Sequence, residues 1–156
     1  MLADINEVSG GDNKCWGHTA IYRAGVQLKA GRLVSLRDAT VDTDNSILLE
    51  VEYLRTNDVN FTQPTIYPIG ITQHNANTGE PITVCILGYT TAILQSADTS
   101  PERGSMVLSD SSQTGKVRTN ITGTNNQARI GFVAQSNSVS TNGAILIYYS
   151  ANFQQY

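Results

Sequence analysis

Ile69-Gly-Ile-Thr-Gln-His-Asn-Ala-Asn-Thr-Gly-Glu-Pro-Ile-Thr-Val-Cys-Ile-Leu87 is the stretch that decides the fold class. Two runs rich in β-branched residues flank Asn75-Ala-Asn-Thr-Gly79, a loop stocked with residues that tolerate the positive φ of tight turns. The pattern is strand, turn, strand.

The same texture recurs outward in both directions. Runs of Val, Ile, Tyr and Thr predict strands at residues 19–23, 32–36, 47–54, 65–73, 82–87, 90–94, 105–109, 116–119, 129–135 and 144–149. Ser111-Ser-Gln-Thr-Gly115 reads as a second turn. No window places apolar residues at i, i+3, i+4 and i+7 without Gly, Pro or a β-branched run interrupting it, so helices are not expected. The expected fold is all-β, a small β-barrel or sandwich. In 47–54, Leu49, Val51 and Tyr53 alternate with Glu50 and Glu52, which predicts one face inward and the carboxylates on a solvated strand edge.

A weak internal duplication organises these strands. Gly31-Arg-Leu-Val-Ser-Leu36, then Ile69-Gly-Ile-Thr72, a polar loop, Gly79 and Ile82-Thr-Val-Cys-Ile-Leu87 form one copy. Gly104-Ser-Met-Val-Leu-Ser109, Ile130-Gly-Phe-Val-Ala134, a polar loop, Gly143 and Ala144-Ile-Leu-Ile-Tyr-Tyr149 form the other. The glycine of each Ile-Gly pair predicts a bulge or a close backbone approach. The chain then divides into an extended N-terminal arm (1–18) and one β-domain (19–156) of two related halves, about 19–95 and 96–156.

Composition limits the function. The chain has 156 residues, enough for one domain core, with only 15% charged residues and a formal charge of −3. Ser, Thr, Asn and Gln number 52, so the surface is polar but largely uncharged. Such a surface costs less to desolvate in close contact than a charged one. Scattered Lys and Arg argue against a nucleic-acid partner, and no apolar run approaches the length that spans a membrane. Residues 1–11 do not read as a secretion signal, so cytosolic synthesis is expected, with Cys15 and Cys85 as reduced thiols.

The motif order Gly31–Leu36, Ile69–Ile71, Gly79–Tyr89, Arg103–Val107, Gly115–Val117 and Ile130–Val133, closed by Ala144–Tyr149, resembles bacteriophage head decoration (capsid cement) proteins. The resemblance spans roughly residues 19–150 and departs from the pattern in the polar insert at 38–63 and in the segment before Ala20. It implies a β-barrel or sandwich that self-associates, often as a homotrimer, and clamps neighbouring subunits of the major capsid protein on the capsid exterior. A carbohydrate- or receptor-binding β-domain of a fibre or lectin-like module is the alternative.

Chemistry is hard to assemble from these residues. Cys15-Trp-Gly-His18 offers half a zinc site, which His74 and Cys85 would have to complete without forming a second tight pair. Asp42-x-Asp44-x-Ser46 lacks the glycine and distal glutamate of a calcium loop. No Gly-x-Ser-x-Gly elbow is present. Asn60-Phe-Thr and Asn120-Ile-Thr match the glycosylation pattern but read as ordinary loop and strand residues. The expectation is a non-enzymatic protein with no cofactor and no metal. Its candidate protein-interface residues are Trp16 and His18 in the arm and Tyr149, Phe153 and Tyr156 at the aromatic C-terminus.

Overall fold

The computed structural model describes residues 14–37, 49–54, 68–94, 101–110, 115–119, 129–136 and 143–150. Among the described residues nine strands form: β1 (Trp16–Ala24), β2 (Leu33–Leu36), β3 (Glu50–Tyr53), β4 (Pro68–Thr72), β5 (Pro81–Ile93), β6 (Met106–Ser109), β7 (Val117–Arg118), β8 (Arg129–Val133) and β9 (Ala144–Ser150). No helix is present among the described residues. The strands join into one sheet ordered β1-β3-β2-β4-β5-β9-β8-β6-β7, with an additional pairing of β1 to β5. The all-β expectation holds, but the architecture is neither a clean barrel nor two packed sheets. The β1–β5 pairing rolls the first five strands into a ring. A parallel bridge from Leu94 to Val117 draws the β7 end of the sheet back to the end of β5.

These two turns of the sheet repeat one pairing pattern. In the first, Val34 lies opposite Gly70 and Leu33 opposite Ile71, with a register shift after Val34. In the second, Val107 lies opposite Gly131 and Met106 opposite Phe132, with a register shift after Val107. Parallel pairing of Ala24 with Val51 matches that of Leu94 with Val117. Gly31 N–H donates to Thr72 O (2.8 Å) where Gly104 N–H donates to Val133 O (2.8 Å). The units therefore comprise β1 to β5 and β5 to β9. β5 closes the first and opens the second.

The glycine of each Ile-Gly pair has a steric reason. A Cβ on Gly70 would collide with the carbonyl oxygen of Cys85, and one on Gly131 with that of Tyr148. Only a residue without a side chain lets β4 and β8 lie that close to the strand beside them.

Two apolar clusters follow. Ala24, Leu28, Val34, Val51, Ala76, Ile82 and Val84 fill the first ring. Ala92, Leu94, Val107, Val117, Ile130, Val133, Ile145, Ile147 and Tyr149 fill the second, joined by Leu33, Leu54 and Ile71 from the first unit. Buried polar groups tie the units at their junction. Gln73 Nε2 donates to Ile71 O (2.7 Å) and to Thr90 Oγ1 (3.1 Å), and the Tyr149 hydroxyl donates to Pro68 O (3.1 Å).

Four expectations are corrected. Residues 16–18, assigned to the arm, are strand, paired to β5 with Trp16 opposite Tyr89 and His18 opposite Leu87. The predicted break between 87 and 90 is absent, because Gly88 sits opposite Gly17 and the backbones cross closely there. Glu50 and Glu52 are not on a solvated edge, since β3 lies between β1 and β2. Glu52 is buried, and Glu50 is held by Arg37 (3.7 Å) and Arg23 (3.9 Å). Cys15 and Cys85 are joined in a disulfide, their Cα atoms 5.6 Å apart, instead of standing as free thiols. Neither spacing nor composition revealed that pairing, because it depends on how the start of β1 is laid along β5.

Replacing Gly70 or Gly131 with Ala is expected to cost about 2 kcal/mol or more in chemical denaturation, as overpacked sites do. Gly79→Ala, where a Cβ would meet nothing within 4 Å, should cost less despite its φ of 88°. Losing the crosslink, which spans 70 residues, should cost up to about 4 kcal/mol on a chain-entropy account. Thiol titration of the unfolded, unreduced protein should find no free thiol, against two after reduction.

Candidate functional site

Cross-strand register builds one surface feature that no single segment announces. Trp16 lies opposite Tyr89, Tyr89 opposite Tyr148, Tyr148 opposite Phe132, and Phe132 opposite Met106. Residues directly opposite in antiparallel strands project from the same face. A row of four aromatics and a methionine therefore crosses β1, β5, β9, β8 and β6. The neighbours one step along point the other way: Val107, Ile147 and Tyr149 are in the core.

The row's rings interact with one another. Phe132 and Tyr148 stack, with centroids 5.2 Å apart and planes 18° apart. Tyr89 meets Tyr148 edge-on, at 5.1 Å and 69°. Such pairs add to the value of their burial and hold each ring in place. Trp16 and Tyr89 are each 42% exposed, while Tyr148, Phe132 and Met106 are half-buried. Tyr and Trp exposed on a rigid sheet give large contact area with few rotatable bonds. No member of the row is charged.

The candidate interface residues separate. Trp16 stands at one end of the row, and His18 is exposed beside it, opposite Leu87. Tyr149 is a correction: it is fully buried in the second core and presents no surface. Alternation in β9 sends Tyr148 outward and Tyr149 inward, and the two adjacent tyrosines are indistinguishable until the register is known. Phe153 and Tyr156 lie outside the described residues, as do Asp42, Asp44, Asn60, Asn120 and most of the 38–63 insert. Tyr89, Phe132, Tyr148 and Met106 were missed. The duplication equates Phe132 with Ile71, but Tyr148 as its neighbour comes only from the register of β8 on β9.

Three of the four residues weighed for zinc are otherwise engaged, and His18 is exposed. Both cysteines are in the disulfide. His74 Nε2 accepts from Thr83 N–H (3.0 Å), which leaves Nδ1 as the donor to Asn75 O (2.9 Å). Among the described residues, no three His, Cys, Asp or Glu side chains gather as a metal site would require. A cleft of about 130 Å³ lined by Gln27, Leu28, Lys29, Asn75, Ala76, Asn77 and Glu80 is small for a ligand pocket. Its Glu80 carboxylate accepts from Asn77 N–H (2.7 Å) and Asn77 Nδ2 (3.3 Å), and those bonds hold its carboxyl below the usual carboxylate range.

No family model matches the sequence, and no curated protein matches it. Among solved structures, the head fiber gp8.5 N base of bacteriophage phi29 is similar, with a TM-score of 0.56 and 11% sequence identity. The match covers 89% of this chain and 98% of that one. At that identity the likeness is one of fold.

Burial keeps the Tyr149 hydroxyl neutral well above the ordinary tyrosine range, with a smaller contribution from Tyr22. The unfolded chain releases this proton first, so the stabilisation is complete below about pH 10 and drains away as pH rises past it. Tyr149→Phe is expected to cost about 1–3 kcal/mol at neutral pH, through the stranded Pro68 carbonyl. The same variant should show a shallower loss of stability between pH 10 and 12, measured by urea midpoints.

Proposed function

We propose that this chain is a structural, non-enzymatic component of a phage head. In its finer form the proposal is a decoration or cement protein that sits on the capsid exterior and bridges neighbouring major capsid subunits. The observation that carries it is the fold likeness to a head fiber N base over nearly the whole of both chains. The motif resemblance to decoration proteins and the uncharged, polar composition support the same reading.

The physics asked of such a protein is modest. A rigid β-domain that binds assembled shell and not free or unfolded subunits stabilises the shell by mass action. Several weak footprints acting together can then hold firmly. Desolvating uncharged side chains keeps each footprint inexpensive.

A specific observation also favours a second reading. The exposed Trp16 and Tyr89, side by side on a sheet, give a carbohydrate-binding β-domain the aromatic platform it would need.

Purified protein mixed with heads of the encoding phage prepared without it is expected to co-sediment saturably and to raise their resistance to heat. Absence of binding at saturating protein would contradict the head reading. A glycan-array hit abolished by Trp16→Ala would favour the second reading in its place.

A further inference from the structure

The first unit shows what becomes of this kind of surface when it is covered. Its own row runs Leu33, Ile71, Cys85, Thr19, each directly opposite the next. By register these positions correspond to Met106, Phe132, Tyr148 and Tyr89 in the second unit. Leu33 and Ile71 are fully buried, and they lie in the core cluster of the second unit, not in that of their own ring. The second unit thus seats itself on Leu33 and Ile71, and Cys85 is taken up in the Cys15–Cys85 disulfide, while Thr19 at the end of the row stays exposed.

Among the described residues nothing covers the matching row of the second unit in that way. Among the described residues no third unit follows β9. Where the first unit carries Leu33 and Ile71 for burial within the chain, the second carries Met106 and Phe132, and the row continues through Tyr148 and Tyr89 to Trp16 of β1. The row spans four inter-strand spacings, about 19 Å. Large aromatics at the centre of a patch are what protein interfaces use as anchors.

We infer that this row is an interface between copies of the chain, each closed by another as the first unit is closed by the second. Within the chain, what covers this surface is a unit of the same kind, and a second copy supplies the next such unit. The row's lack of charge permits it, since a unit of another copy can cover it without burying an unpaired charge. The inference deepens the reading of the chain as a contact protein, and its experiment uses free protein without heads, so either can fail alone.

The test is sedimentation equilibrium of the full chain against two single variants. Tyr89→Asp puts a charge in the row at an exposed position. Ile21→Asp puts the same charge on an exposed apolar residue of β1, opposite Thr83 and away from the row. The wild type and Ile21→Asp are expected to associate alike, and Tyr89→Asp to weaken association by at least about tenfold, as loss of an anchor does. Circular dichroism must show both variants folded. Should Tyr89→Asp misfold, Tyr89→Ser takes its place, with the same weakening expected. A wild type monomeric at every concentration would overturn the inference, as would a folded row variant that associates like the wild type. Head binding lost in a row variant of a monomeric protein would give the face to the shell, and overturn it equally.

Discussion

Strand β5 is hydrogen-bonded along both edges, and the rest of the molecule depends on that. One edge carries β1 from Trp16 to Arg23. The other carries β4 opposite Cys85 and Val84, then β9 from Leu87 to Ile93. A strand of ordinary length could serve one unit. At 13 residues, β5 is long enough to end one and begin the next. Sharing it removes any linker between the units and makes the two cores neighbours, so Leu33 and Ile71 can leave the first ring and complete the second.

The consequence at the surface is asymmetry. A repeat array buries each unit's exposed face against the next and needs something different at its ends. Among the described residues there are two such units, so one row is covered by the other unit and one is not. Residue choice follows that difference: Leu33 and Ile71 where the cover is built in, Phe132 and Tyr148 where it is not. The same asymmetry explains why the aromatic row is neither a core nor a random scatter of exposed side chains.

Much of this was legible in the chain itself. Runs of β-branched residues marked the strands, and the Ile-Gly and Gly-led motifs marked the duplication, because steric need writes glycine at equivalent positions. What sequence did not supply was pairing between distant strands. The side to which Tyr148 and Tyr149 point depends on register, the placement of Glu50 depends on which strands flank β3, and the Cys15–Cys85 bond depends on how β1 meets β5. Composition raised the expectation of a contact protein, while the aromatic row proposed as its contact surface emerged only when five strands were laid side by side.

Native-state hydrogen exchange along β5 tests the shared-strand account most directly. If β5 belongs to both units, amides from Ile82 to Ile93 that are bonded to β1, β4 or β9 should open together, at the free energy of global unfolding. If the half of β5 beside β9 opened at a lower free energy while the half beside β4 stayed protected, the units would be separable and the account would be wrong.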